Sequence, residues 1–139
     1  MGVHVSTDDT LLDVPLVHRW LSQDAYWSLG RSRETVEDSL RHSVNVGAYD
    51  GASGRPRQTG FLRIVTDRAT FAWVCDVYVD PADRGRAVGK ALMAEADRLL
   101  ASYGVRRVLL ATADAHGLYA QFGFEPLADD GRWMLKTYA

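Results

Sequence analysis

Residues 77 to 92 read VYVDPADRGRAVGKAL, and this order predicts a β-strand, a turn with two glycines and the start of an amphipathic helix. The first amides of a helix have no acceptor within the helix and carry partial positive charge, so they attract anions. Gly85 and Gly89 lack a Cβ, which lets a bulky group approach the main chain. Three basic side chains add countercharge: Arg84, Arg86 and Lys90. The segment therefore predicts a phosphate-binding turn.

The same order of elements also describes an ordinary corner between a strand and a helix, so the segment alone leaves both interpretations open. Two well-known phosphate loops are excluded. The P-loop requires Ser or Thr after its Gly-Lys pair, whereas Ala91 follows Lys90 here. The dinucleotide fingerprint requires three glycines at its own spacing, and the strand begins too late in the chain for a doubly wound nucleotide domain.

A second segment, residues 114 to 127, favours the phosphate-binding interpretation and reads DAHGLYAQFGFEPL. Together the two segments resemble the GNAT superfamily of acyl-CoA-dependent N-acyltransferases. The pyrophosphate signature of that family, Gln/Arg-x-x-Gly-x-Gly/Ala, maps onto residues 84 to 89. Its later signature, Leu-Tyr-x-x-x-Gly-Phe, is complete at Leu118, Tyr119, Gly123 and Phe124.

The resemblance implies an α+β fold in which about four helices flank a mixed, twisted sheet of about six strands, with parallel strands 4 and 5 splayed apart. It also implies acetyl-CoA as the acyl donor, with the pantetheine arm in the cleft between the splayed strands. In that family the arm pairs with main-chain groups of the strand that ends here at Val79, as an added strand would. The residues implied to bind the cofactor are Val77, Val79, Arg84, Gly85, Arg86, Ala87, Val88, Gly89, Lys90 and His116.

The chain departs from the family pattern at two places. Ala87 stands where the family usually has the first glycine of its signature. If that position needs a left-handed backbone, alanine costs roughly 1–2 kcal/mol, and if it needs only room, the methyl group pushes the diphosphate outward. Asp114 and His116 precede the tyrosine, where many relatives carry an asparagine.

Composition predicts one globular domain over residues 1–139. The net charge of −2 gives no dominant basic face, which argues against a nucleic-acid partner. The lone cysteine, Cys75, cannot form an internal disulfide, and the four histidines lack metal-ligand spacing, so no metal is expected. No run is long enough to cross a bilayer, and we expect a cytoplasmic protein without membrane contact, as a monomer or homodimer.

Hydrophobic periodicity predicts alternating elements along the whole chain. The expected strands are Val3 to Ser6, Val44 to Tyr49, Gly60 to Thr66, Thr70 to Asp80, Arg107 to Thr112 and Trp133 to Thr137. The expected helices are Asp13 to Ser22, one capped by Ser32 and running to about His42, one from Val88 that ends at Gly104, and a short one around Tyr119. A turn over residues 50 to 54 joins the second and third strands.

Acyl transfer to an amine requires a proton acceptor and a donor for the departing sulfur, because an amine with a pKa near 10 is almost fully protonated at neutral pH. Tyr119 is the donor that the family resemblance implies, and the alternative is a packed core tyrosine. For the base we consider Asp76, a carboxylate in an apolar strand, where burial would raise its pKa. A structural salt bridge is the competing account of Asp76. His116 is a further candidate as a proton relay.

The acceptor site is less well indicated by the sequence. In this fold the first two helices and their connection wall it, which points to Tyr26, Trp27, Arg31 and Arg33. The aromatic pair suits an apolar or cationic acceptor, and the arginines suit a carboxylate, although a Tyr-Trp pair also serves as a packing anchor. A small-molecule or peptide amine would attack directly in a ternary complex. The rival hypothesis is a catalytically weak acyl-CoA sensor or partner-binding module.

Overall fold

A computed structural model of the chain describes residues 3–51, 56–128 and 131–138, and within them a five-stranded sheet carries helices on both faces. The strands are β1 (Val3–Ser6), β2 (Val44–Asp50), β3 (Arg57–Thr66), β4 (Phe71–Val79) and β5 (Arg107–Leu109). The helices are α1 (Val14–Arg19), α2 (Arg33–Arg41), α3 (Val88–Tyr103) and α4 (His116–Ala120). Short 3₁₀ turns cover Asp9–Leu11 and Pro81–Asp83.

The sheet has the order β1-β2-β3-β4-β5, antiparallel except for the parallel pair β4 and β5. This pair holds only at Phe71 with Arg107, Ala72 with Val108 and Trp73 with Leu109. Beyond Trp73 the two strands separate, which confirms the mixed sheet with splayed parallel strands. The predicted extension of β5 to Thr112 is wrong, because residues 110 to 112 leave β4 and line a cavity beside it.

Helix boundaries follow local signals that the sequence carries. The Ser32 hydroxyl accepts a hydrogen bond from the Thr35 amide at 3.1 Å and starts α2, as predicted. Gly104 ends α3 with a φ of +75°, a left-handed conformation that glycine adopts without steric cost. The first helix ends at Arg19 and continues as a π-helical turn over Trp20–Asp24.

Two apolar cores lie on opposite faces of the sheet. On one face, α3 packs Val88, Leu92 and Ala96 against the side chains of β2, β3 and β4. On the other face, α1, α2 and the turn between them enclose Phe61 and Tyr78. Among the described residues, no helix has both the length and the apolar composition that crossing a bilayer requires.

A β-bulge in β4 changes which core its side chains enter. Phe61 pairs with Tyr78 and Arg63 pairs with Cys75. Between these two pairs the chain advances by two residues in β3 and by three in β4, so β4 contains one extra residue. The extra residue coincides with Asp76, whose φ is +52°. Before the bulge Val74 packs in the α3 core, whereas after it Tyr78 packs in the opposite core. A regular strand would place both on one face, so the bulge reverses the alternation.

The predicted sixth strand at Trp133 to Thr137 is wrong, because residues 131–138 form no strand or helix. The edge of the sheet next to this segment is β5, which has only three residues and offers a short ladder. Met134 and Leu135 remain 94% and 91% exposed, so no burial holds the segment in a strand. The predicted turn over residues 50 to 54 lies partly outside the described residues.

Candidate active site

One continuous cleft runs along the carboxyl half of β4, and it consists of three cavities that share walls. A cavity of about 240 Å³ lies at the turn before α3. A middle cavity of about 510 Å³ shares Val79, Gly89 and Leu118 with it. A third cavity of about 540 Å³ shares Val77 and Tyr119 with the middle one. The predicted phosphate-binding turn and the predicted catalytic tyrosine therefore lie along the same groove.

The turn before α3 leaves its main-chain amides available. In the part of the chain that the structure describes, no acceptor bonds the amides of residues 84 to 90, and the Ala91 amide is the first to reach one, the Ala87 carbonyl at 3.0 Å. Gly85 has a φ of +82° and Ala87 a φ of +63°. The conformation that disfavours alanine is therefore present at Ala87, and its backbone strain costs about 1–2 kcal/mol.

A diphosphate fits this turn by three observations. A Cβ placed on Gly89 would point toward Leu118 and Val79, at 3.6 and 3.8 Å, where the cleft begins, and a Cβ on Gly85 would meet nothing within 4 Å. The unbonded amides supply donors. Two cations, Arg84 and Lys90, line the cavity, whereas the 71% exposed side chain of Arg86 lies outside it, 4.0 Å from Asp83.

The middle of the cleft presents the open edge of β4. The Asp80 amide bonds the Thr59 carbonyl on the β3 side at 2.9 Å, so by alternation the main-chain groups of Val77 and Val79 point to the open side. Arg84 Nε already donates to the Val79 carbonyl at 3.0 Å. A pantetheine arm that pairs with this edge can therefore bond the amide and carbonyl of Val77 and the amide of Val79. For the Val79 carbonyl it would compete with the Arg84 side chain.

Tyr119 lies on α4, 8% exposed, at the junction of the middle and third cavities. Burial, followed by the nearby Asp114 charge and Tyr26, raises the pKa of its phenol above the ordinary value. Its ring packs edge-on against Phe124, with centroids 6.2 Å apart. Within the described residues its hydroxyl has no hydrogen-bond partner, so the O–H of the protonated phenol remains free to donate beside the cleft that Tyr119 lines.

Asp76 is buried, and its carboxylate accepts hydrogen bonds from three side chains. Trp27 Nε1 lies 2.9 Å from Oδ1, and Arg31 Nη1 and Arg63 Nε lie 2.8 and 2.9 Å from Oδ2. Burial alone would raise the pKa of this carboxyl, but the two guanidinium groups outweigh it and hold the pKa below its usual range. The expectation of a raised pKa is therefore wrong, because sequence reasoning missed Arg63.

The third cavity is lined by three aromatic side chains. Tyr26 and Trp27 stack edge to face with centroids 5.0 Å apart and are 58% and 43% exposed, and Trp73, 43% exposed, also lines the cavity. Arg31 also lines this space. Cys75 lines it too, and burial raises the pKa of its thiol to about 11, which keeps it protonated and a weak nucleophile.

Two predicted residues stand away from the cleft. His116 begins α4 with an exposed side chain and is absent from the walls of all three cavities. Arg33 bonds Glu37 along the exposed face of α2 at 2.7 Å. Among the described residues, no group of three or more His, Cys, Asp or Glu side chains is arranged to hold a metal ion.

Sequence reasoning also missed site residues that the fold brings in. Arg63 interrupts the apolar run of β3, as Asp76 interrupts that of β4, and a pair of opposite charges in neighbouring strands is a signal for a buried ion pair. Trp73 and Asp114 line the third cavity, whereas the sequence indicates only that Trp73 belongs to a strand and that Asp114 departs from the family pattern.

Comparisons with known proteins agree with this geometry. The family model of the acetyltransferase (GNAT) domain matches residues 44–126. A Gibberella zeae protein named as a candidate acetyltransferase is 30% identical over 133 residues, which cover 84% of this chain and 75% of that protein.

Solved structures of the same fold include a crystal structure of a candidate GNAT acetyltransferase from Xanthomonas campestris pv. campestris. It is 42% identical, has a TM-score of 0.90 and covers 99% of this chain and 94% of that chain. An aminoglycoside 6'-N-acetyltransferase solved with coenzyme A shares the fold at 18% identity, with a TM-score of 0.63 over 78% of this chain and 61% of its own. The two motifs, the splayed sheet and these matches lead to one conclusion: the chain belongs to the GNAT family of acetyltransferases.

Proposed function

We propose that the protein transfers an acetyl group from acetyl-CoA to a primary amine while both substrates are bound. The observation that carries this proposal is the single cleft that joins the free amides of residues 84 to 90 to the free hydroxyl of Tyr119. When bound, acetyl-CoA supplies a thioester whose C–S bond breaks as the amine nitrogen forms the new C–N bond. Counted from the protonated amine, the products are an amide, a free thiol and one proton released to solvent, because the nitrogen gives up two protons and the sulfur takes one.

The turn before α3 holds the diphosphate in this proposal. The amides of residues 84 to 90 donate to its oxygens, and Arg84 and Lys90 balance its charge. The open edge of β4 at Val77 and Val79 bonds the arm that leads inward. These contacts direct the thioester end of acetyl-CoA to the junction of the middle and third cavities, where Tyr119 lies.

Tyr119 donates a proton to the sulfur as that atom leaves. Its raised pKa keeps the phenol protonated through neutral and mildly alkaline pH, so the donor is present under ordinary conditions. General acid catalysis of this kind contributes about 10²- to 10⁴-fold to a rate. After transfer the phenol regains its proton from solvent through the open cleft.

Asp76 serves in this proposal as a structural clamp instead of a base. Its low pKa makes it a weak proton acceptor, and three donors already occupy its oxygens. By holding Trp27 and Arg31, it fixes the wall of the acceptor cavity against β4. The acceptor then lies in the cavity that Tyr26, Trp27 and Trp73 line.

The test compares Tyr119→Phe with Tyr103→Phe, a matched change at the end of α3 and away from the cleft. We expect the Tyr119 variant to bind CoA with unchanged affinity and to lose about 10²-fold in kcat, since the hydroxyl acts only as sulfur leaves. The Tyr103 variant should keep the wild-type rate. Thiol release from acetyl-CoA across a panel of amines gives the rates, and calorimetry gives the affinity.

A wild-type protein that binds acetyl-CoA but releases no thiol with any amine would contradict the proposal and favour a sensor. Equal rates for wild type and Tyr119→Phe would leave transfer intact and remove the role of the tyrosine. Absence of any CoA-dependent rise in melting temperature would reject the proposed cofactor site itself.

A further inference from the structure

We infer that Asp114 captures the acceptor as an ammonium ion and so makes the enzyme select amines that are protonated in solution. The bound ammonium then loses a proton to solvent in the open cleft, and the neutral nitrogen attacks. This inference rests on the proposed function, because it assigns a substrate class to the same cleft. Asp114 lies outside the Leu-Tyr-x-x-x-Gly-Phe motif of residues 118 to 124.

The position of Asp114 is the first argument. It belongs to the walls of both the middle and the third cavity, so it lies at the junction where the reacting groups must meet, next to Tyr119. The turn that carries it is fixed, because the amides of Asp114 and Ala115 both donate to the Thr112 hydroxyl, at 3.4 and 3.0 Å.

The second argument is that the Asp114 carboxylate makes no structural polar contact with the rest of the described chain. It is exposed to the cleft, and within the described residues it makes no hydrogen bond or ion pair. It does not cap α4 either, since the N-cap is Ala115 and no side chain accepts a bond there. Its charge nevertheless reaches the reaction site, because it contributes to the raised pKa of Tyr119.

The balance of charge around the cleft is the third argument. The Asp76 charge is compensated by Arg31 and Arg63. Asp24, at the other end of the middle cavity, accepts a hydrogen bond from Tyr78 and lies 3.7 Å from an Arg84 nitrogen. Among the described residues that line the middle and third cavities, Asp114 is thus the carboxylate that has no cationic or hydrogen-bonding partner.

These features define the chemistry of the acceptor. An ammonium group beside Asp114 satisfies the unpaired charge, and the aromatic faces of Tyr26, Trp27 and Trp73 suit an apolar body and attract the cation as well. A carboxylate directly beside the amine would be repelled by Asp114. The inferred substrate is a primary amine with an aromatic or aliphatic body and no neighbouring anionic group.

The test uses Asp114→Asn and two acceptors of the same shape, benzylamine and phenylhydrazine. Benzylamine is protonated at neutral pH and phenylhydrazine is neutral, so only the first needs the carboxylate. We expect kcat/KM for benzylamine to fall about tenfold relative to that for phenylhydrazine, after subtraction of the uncatalysed reaction. Asp97→Asn, which alters an exposed carboxylate on α3 away from this cleft, should leave the ratio unchanged.

Calorimetry separates this inference from the proposed function. We expect benzylamine to bind the CoA-loaded protein about tenfold more weakly in Asp114→Asn than in wild type, with the affinity for CoA itself unchanged. Equal losses for both acceptors, or no change in benzylamine affinity, would overturn the role of Asp114, as would a wild type that fails to bind benzylamine. If neither acceptor is acetylated but the affinity still falls, the proposed reaction fails and the ammonium site stands.

Discussion

At the scale of single residues, Ala87 is the position where the chain departs most from a low-energy backbone. Its φ of +63° is one that an L-residue with a Cβ adopts only with strain, and it lies in the turn that holds the proposed diphosphate. The Ala87 carbonyl accepts the hydrogen bond of the Ala91 amide at 3.0 Å, which ties this residue to the first turn of α3. A glycine here would relax the turn without changing its path.

We therefore expect Ala87→Gly to stabilise the protein by about 0.5–1 kcal/mol, the strain relieved less the extra entropy of glycine in the unfolded chain. CoA affinity should rise a few-fold, because the methyl group no longer limits approach to the amides. Ala94→Gly, the same change in the regular middle of α3, should instead cost about 1 kcal/mol. Urea unfolding and calorimetry give both quantities, and two variants that destabilise alike would refute the strain.

At the scale of elements, the turn of Pro81–Asp83 is tied to the start of β3. Arg57 donates from both terminal nitrogens to the Asp83 carboxylate, at 3.0 and 2.9 Å, and that carboxylate is buried while the arginine is half exposed. Asp83 is directly followed by residues 84 to 90, whose amides are unbonded within the described chain and face the proposed diphosphate site. The ion pair thus positions the binding turn against the sheet.

Arg57→Gln should lower CoA affinity about fivefold and reduce stability, because it leaves the Asp83 charge buried with only Arg86 nearby, at 4.0 Å. Arg33→Gln is the control, since it breaks an ion pair with Glu37 that is exposed on both sides and contributes only about 0.3–0.5 kcal/mol. Calorimetric CoA titration and thermal melts of both variants give the comparison. Unchanged CoA affinity in Arg57→Gln would show that the turn holds its shape without this ion pair.

Which elements could be predicted from sequence depends on whether their causes are local. The start of α2 at Ser32 and the end of α3 at Gly104 rest on one residue each, and both predictions are confirmed. The bulge at Asp76 depends on how β4 pairs with β3, and the residues around Asp76 alone do not indicate that register. The strand expected at Trp133 to Thr137 fails because the neighbouring edge strand, β5, has only three residues, and the length of that edge is a property of the whole sheet.

The site divides in the same way. Residues 84 to 90 are contiguous, and the cavity that six of them line, all except Arg86, is predictable from the chain order alone. The Asp76 cluster joins three separate segments: Asp76 on β4, Arg63 on β3, and Trp27 and Arg31 between α1 and α2. The sequence indicates Trp27 and Arg31 as acceptor candidates but not the carboxylate that holds them. Asp114 was noted only as a departure from the family pattern.

At the scale of the whole molecule, the Asp76 cluster links the sheet to the helical layer on the α1 and α2 side. Its carboxylate sits on β4, Arg63 comes from β3, and Trp27 and Arg31 come from the segment between α1 and α2. Through these contacts the acceptor wall and the sheet are held together by charge as well as by the apolar core. Stability should therefore depend on the ionisation of one carboxyl group.

Because the pKa of Asp76 is lower in the folded state than in the unfolded chain, its contribution is complete above the ordinary aspartate pKa of about 3.9 and is lost as pH falls through the folded value. Asp76→Asn should cost about 3 kcal/mol at pH 7, since it leaves Arg63 without its buried partner, and less as pH drops from 4 to 2. Wild type and variant should thus converge in acid, and Asp97→Asn should track wild type throughout. Urea unfolding at a series of pH values measures the difference, and a gap that stays constant below pH 4 would show that folding does not lower the pKa of Asp76.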